Sequence, residues 1–155
     1  MFFAKEGAFT IMIAIGSDHG GFELKQEIAK FLTEQGYEIK DFGIHSSKSV
    51  DYPDIAHPVC MSITSGECDR GILVCGTGIG ISIAANKVHG IRAALCTDCF
   101  SAKMAKEHNN ANIITLGGRV TGPGLALEIV EAWLKAEFQG GRHQTRVEKI
   151  HNLEK

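Results

Sequence analysis

Apolar and polar positions alternate in blocks along this chain. Short unbroken apolar runs are each followed by a segment whose apolar residues recur every three or four positions. Residues 11–15 form the first run and end in Gly16-Ser17-Asp18-His19-Gly20-Gly21. Such a run reads as a strand covered on both faces. Leu24, Ile28, Phe31 and Leu32 then share one helical face, and Gly36 stops the helix. A short strand over 37–41 leads into a polar loop over 43–51. Pro53 suits a first helical turn, after which Ala56, Val59, Cys60 and Ile63 line one side. The third strand, 71–75, opens into a glycine-rich loop and a helix over 81–87. A strand over 91–96, a helix over 98–107, a strand over 112–116 and a long helix over 122–138 complete the series. The last helix buries Ala126, Ile129, Val130, Trp133 and Leu134. Five strands, each followed by a helix, predict an α/β fold with an open parallel sheet and helices on both faces. Residues 140–155 are polar and read as an arm with a short final helix, outside the core. Residues 1–10 precede the first strand and read as an extension, since Met12 offers an alternative start; the domain is then 11–155.

Composition narrows the class. At 155 residues the chain has the length of one domain with a full core. A net charge of −2 gives no basic surface for nucleic acid. No apolar run approaches the roughly 20 residues of a membrane helix, and the start lacks a signal-peptide pattern. Five cysteines without a regular framework fit reduced thiols in a cytoplasm.

In open parallel sheets ligands bind beyond the carboxyl ends of the strands, where strand order reverses. Asp18 and His19 follow the first strand, and Cys75-Gly76-Thr77-Gly78-Ile79-Gly80 follows the third. The loop glycines allow close approach to a ligand, and the N–H groups opening the next helix favour negative charge. A thiol placed there has its pKa lowered. Two plainer readings stand beside these: Asp18 as a helix cap and Cys75 as a buried apolar residue. The loop is neither a Walker loop nor a dinucleotide fingerprint, so a small anion fits better than a nucleotide. Cys96-Thr-Asp-Cys99 lacks a second pair or histidines at zinc spacing, which leaves two thiols around a strand end and no expected metal. Arg142 and Arg146 lie four apart and would project from one helical face as a phosphate clamp, or as a solvated basic face.

Together these segments resemble the type B ribose-5-phosphate isomerases, grouped with the galactose-6-phosphate isomerase subunits. The resemblance runs from Met12 to the end. It rests on Gly16-Ser-Asp-His-Gly-Gly-Phe, Asp51-Tyr-Pro-Asp, Cys75-Gly-Thr-Gly-Ile-Gly-Ile-Ser-Ile-Ala-Ala-Asn-Lys, His108-Asn-Asn-Ala-Asn and Gly140-Gly-Arg-His-Gln-Thr-Arg-Val. The Cys-Gly-Thr start of the loop favours the ribose-phosphate branch. The resemblance implies a three-layer αβα sandwich with a Rossmann-like five-stranded sheet and a C-terminal helical arm. It implies interconversion of ribose 5-phosphate and ribulose 5-phosphate through an enediolate, with no metal or other cofactor. Cys75 would move the proton between C2 and C1, with Thr77 assisting between the oxygens and the N–H groups of residues 76–80 holding the enediolate. His108, with Asp18 as partner, would open the furanose ring. His19, Arg142, Arg146 and Arg119 would hold the phosphate, and Asn109 and Tyr52 the sugar hydroxyls.

Asp18 and Cys75 belong to the carboxyl edge of the sheet, whereas His108, Asn109, Arg142 and Arg146 follow helices that return to the opposite edge. A homodimer that builds each site from two subunits, alone or paired into a tetramer, is the expected solution. Three competing readings remain. They are a hexose 6-phosphate isomerase, a non-catalytic phosphosugar-binding module, and a redox or metal protein using Cys96 and Cys99.

Overall fold

Five parallel strands and six helices alternate along residues 10–155, the part of the chain that the computed structural model describes. The elements are β1 (Met12–Ser17), α1 (Phe22–Glu34), β2 (Glu38–Asp41), α2 (Tyr52–Thr64), β3 (Arg70–Cys75) and α3 (Ile79–Ala85). They continue with β4 (Ala93–Leu95), α4 (Cys99–Glu107), β5 (Ile113–Gly117), α5 (Pro123–Lys135) and α6 (Arg142–Asn152). Apart from Thr10, the expected N-terminal extension lies outside the described residues.

The strand order is β2-β1-β3-β5-β4. Steps toward β2 and steps toward β4 run in opposite directions across the sheet, so a single crossover hand must place their helices on opposite faces. It does. Helices α1, α4 and α5 pack on one side, around Leu24, Ile28, Ala102, Ile129 and Trp133. Helices α2 and α3 pack on the other, around Ala56, Val59, Ile81 and Ala85. The sheet between them carries fully buried residues pointing both ways, such as Ile13 and Ala14 or Ile72 and Leu73. That is the expected three-layer sandwich.

Strands β1 and β3 are hydrogen-bonded neighbours from which the chain departs in opposite directions. Their carboxyl ends therefore flank the crevice where such sheets bind ligands.

The element boundaries differ from the sequence pattern in four places. Helix α3 begins at Ile79, so Gly80 is helical and only residues 76–78 form the turn, with Gly78 left-handed at φ 80°. Strand β4 has only three residues, and the Asn86 side chain bonds both the N–H and the C=O of Ala93 on its free edge, at 2.8 and 2.9 Å. The Asn112 carboxamide likewise takes the Arg92 N–H at 2.8 Å. Helix α5 stops at Lys135 because Ala136 is extended. The arm carries a full helix, α6, whose His143 and Val147 are buried, so part of it belongs to the packed body.

One buried charge braces the loop beside the crevice. Lys25 of α1 is fully buried; its ammonium donates to both Asp41 carboxylate oxygens at 2.9 Å and to the Ile44 carbonyl at 2.6 Å. Removing one partner of such a pair leaves the other uncompensated. Asp41 is partly exposed, which softens the cost, so Lys25→Ala should lower unfolding free energy by about 2–3 kcal/mol. Urea denaturation measures it; a change below about 0.5 kcal/mol would show the pair to be dispensable.

Candidate active site

Asp18 sits where β1 ends, and it is buried. Its Oδ1 accepts the N–H groups of Gly20 and Gly21 at 2.9 and 3.1 Å, which ties the turn into α1. Its own N–H donates to the Val74 carbonyl at 3.2 Å, stitching the turn to β3. The carboxylate therefore braces the turn, and Gly21, not Asp18, occupies the cap position of α1. Oδ2 has no hydrogen bond to a described residue.

The turn and the β3 loop touch backbone to backbone. A Cβ on Gly20 would lie 3.0 Å from the Gly76 nitrogen, and one on Gly21 only 2.5 Å from the Val74 carbonyl. Glycine is required there by space, since nothing larger lets Asp18 and Cys75 approach.

Cys75, the last residue of β3, is 4% exposed. Its Sγ accepts the Gly78 N–H at 3.1 Å, which ties the thiol to the loop. Thr77 is exposed, and its Oγ1 accepts the Ile79 N–H at 3.2 Å. The Gly78 carbonyl is anchored by the buried Thr115 hydroxyl at 2.9 Å, so the loop is held from β5 as well. Tyr52, at the start of α2, lies across Gly80, where a Cβ would fall 2.8 Å from the phenol oxygen. Arg119 is exposed; its N–H bonds the Gly76 carbonyl at 3.0 Å and its guanidinium passes over Gly76. His19 is exposed, and its Nδ1 accepts the Val50 N–H at 3.3 Å, which leaves Nε2 without a hydrogen bond to a described residue. Asp18, His19, Tyr52, Cys75, the 76–80 segment and Arg119 thus gather at the carboxyl edge.

The remaining expected residues gather elsewhere. His108 caps the end of α4, five residues before β5 begins, and so marks the amino edge of the sheet. Asn109 follows it and uses its carbonyl to accept from the Arg92 side chain at 3.0 Å. Helix α6 is fastened to this same edge: Arg92 reaches His151 at 2.7 Å, and Glu154 accepts the Gly90 N–H at 2.9 Å. Arg142 and Arg146, both exposed, are one helical turn apart on α6. A five-residue strand separates the two edges by roughly 16 Å. Within one chain the two groups do not meet.

His143 belongs to the second group although its spacing gave no sign of it. Its imidazole stacks on that of His108 with centroids 4.2 Å apart and planes 8° from parallel. The two lie 35 positions apart in sequence, on different helices, and a pattern along the chain carries no such information.

Cys96 and Cys99 take no comparable position. Cys96 is buried, and burial pushes its thiol up to about 11; Cys60 is raised to about 11 for the same reason. Such thiols stay protonated and unreactive. Among the described residues no group of three or more His, Cys, Asp or Glu is placed to hold a metal ion. No helix among them is long and apolar enough to cross a membrane.

The sequence model of the ribose/galactose isomerases matches residues 13–150, which takes in every residue of both groups. The chain belongs to that family. It is 52% identical over 142 residues to ribose-5-phosphate isomerase B of Escherichia coli, covering 92% of this chain and 95% of that one. It is 48% identical over 141 residues to D-erythrulose-4-phosphate isomerase of Pectobacterium atrosepticum, covering 90% and 93%. Its fold is similar to the solved structure of Clostridium thermocellum ribose-5-phosphate isomerase B, with TM-score 0.92 and 64% identity over 93% of this chain and 97% of that one. As a ribose/galactose isomerase, the protein holds a thiol, a carboxylate and an array of N–H donors around one crevice. Those are the groups a proton shift between adjacent carbons demands.

Proposed function

We propose that the protein interconverts D-ribose 5-phosphate and D-ribulose 5-phosphate in the cytoplasm. The observation that carries this reading is the Cys75 thiol, buried at the end of β3 and met by the Gly78 N–H beside Asp18. Free thiols at all five cysteines suit a reducing compartment.

In the proposed reaction Cys75, as thiolate, takes the proton from C2 of the open-chain aldose and returns it to C1. The enediolate oxygens are held by N–H groups of the 76–80 segment, and the Thr77 hydroxyl passes a proton between O1 and O2. His19 and Arg119 flank the phosphate. Before that, the furanose must open: an acid protonates the ring oxygen while a base takes the proton from O1. This is the part assigned to His108, with Asp18 opposite.

Because His108 stands at the other edge of its own sheet, the opening step is supplied by a second copy. We assign each site to a homodimer in which His108, Asn109, Arg142 and Arg146 of the partner subunit face the Cys75 loop. Support comes from the apolar side chains beside that loop. Ile79 and Ile83 lie one turn apart on α3 and are 52% and 57% exposed, with Leu95 of β4 nearby. A second copy seated there buries them. Arg142→Ala should then raise KM for ribose 5-phosphate about tenfold with little change in kcat, since it removes a ground-state phosphate contact. A fall in kcat at constant KM would place Arg142 in the chemistry instead.

The direct test is ketose formation from ribose 5-phosphate by the purified protein, with allose 6-phosphate run alongside. A preference for the pentose supports the proposal, and a preference for the hexose moves the substrate. No turnover of either, from folded protein that still binds ribose 5-phosphate, would make it a binding module.

A further inference from the structure

An imidazole that shuttles protons must have its plane fixed, and in most sites a hydrogen bond to one ring nitrogen does this. His108 has no such bond to any described residue. Its ring partner is the face of His143, 4.2 Å away and 8° from parallel. We infer that His143 is a positioning residue, a buried aromatic plate that holds the His108 ring for the opening of the furanose. The inference rests on the ring-opening role proposed for His108.

Stacking suits this task in a way a hydrogen bond does not. It fixes the ring plane through its face and leaves both nitrogens on the free edge. Furanose opening gives a proton to the ring oxygen and takes one from O1, so two adjacent oxygens must be addressed in turn. A nitrogen tied to a protein carbonyl would be lost to one of them.

The plate itself is firmly mounted. His143 is 7% exposed, against a half-buried His108. Gly140 and Gly141 both have positive φ, 63° and 58°, and turn the chain so that the second residue of α6 points back at α4. The His143 N–H closes that turn on the Gly140 carbonyl at 3.0 Å. Just before it, Gln139 donates its backbone N–H to the Glu107 carbonyl at 3.0 Å and its side-chain amide to the Glu107 carboxylate at 3.1 Å. The turn bearing His143 is thus clamped to the residue next to His108. The groups facing the stack are all basic: His108 from α4, and Arg142 and Arg146 from α6 itself. Burial, then these three charges, hold the His143 imidazole below the usual histidine range.

The test compares His143→Ala, His143→Phe and the double variant His108→Asn/His143→Ala on ribose 5-phosphate, each checked for folding by thermal melting. His143→Ala should lower kcat about tenfold with KM within about twofold, the signature of lost positioning. His143→Phe, which keeps the plate without the nitrogens, should recover most of that loss. The double variant should match His108→Asn alone, because His143 acts through His108. A phenylalanine no better than alanine overturns the inference, as does a double variant clearly slower than His108→Asn. A rise in KM like that of Arg142→Ala would make His143 a phosphate ligand. His108→Asn at the wild-type rate would sink the parent reading and this inference with it. An inactive His108→Asn beside a fully active His143→Ala would sink this inference alone.

Discussion

Cys75→Ala is expected to abolish isomerisation, by roughly a thousandfold or more, while ribose 5-phosphate still binds. The thiol stands at the end of β3 against the glycine loop, where the proposed reaction needs a base between two carbons. Asp18 is committed through Oδ1 to Gly20 and Gly21, and Thr77 carries only a hydroxyl. The change is also small. Alanine keeps the strand end and removes a single atom that is buried against the loop, at a cost of about 1 kcal/mol. A dead enzyme therefore reports lost chemistry and not lost fold, provided calorimetric titration still finds the sugar phosphate bound. The phosphate and hydroxyl contacts proposed above do not involve Sγ, so affinity should hold within a few-fold. If the alanine variant kept a tenth of wild-type turnover, the base would have to be another group. Asp18 Oδ2 would be the first to examine, since it has no bond to a described residue.

The fold could be read from the sequence because strands buried on both faces are nearly pure apolar runs, and this chain has them at 11–15, 71–75 and 112–116. Crossover handedness then leaves few ways to arrange the helices. Boundaries were less legible where side chains replace the ladder. The Asn112 carboxamide takes the Arg92 N–H just before β4, a role it does not announce in sequence. The glycine loop was legible as a candidate site but two residues too long, since the helix already begins at Ile79 and Gly80 lies inside it against Tyr52. The carboxyl-edge half of the proposed site followed from its position after strands one and three. The other half could be placed at the opposite edge, because a helix that returns from one strand to the next must end there. His143 could not be found, as stacking across two helices leaves no periodic trace. The arm also proved more than a solvated tail. Its buried Val147 and the bonds of His151 to Arg92 and Glu154 to Gly90 hold Arg142 and Arg146 in a fixed place, where a loose segment would lose ordering entropy on every binding event.

Mixing two dead variants should restore activity. If each site takes Cys75 from one subunit and His108 from the other, the Cys75→Ala and His108→Asn homodimers each lack one function in both sites. A mixed dimer joins the two defects in one site and leaves the other site intact. Random exchange makes half of the dimers mixed, each with one good site of two, so equal amounts should recover about a quarter of wild-type turnover. The recovery must follow subunit exchange and appear only after dissociation and reassociation, which a chaotrope pulse or co-expression supplies. If each chain kept its own Cys75 and His108 together, no mixture could exceed the sum of its parents. One distinction must be built into the assay. Ribose 5-phosphate opens slowly without help, so His108→Asn retains a trickle through the free aldehyde. D-Ribulose 5-phosphate, the ketose of the proposed reaction, has no hydroxyl free to close a furanose ring, so the reverse direction needs no opening step. On that substrate His108→Asn should lose far less than the 10²- to 10⁴-fold typical of a missing acid–base group, whereas Cys75→Ala should lose everything. Equal losses on both sugars would take His108 out of ring opening and place it in the proton transfer itself.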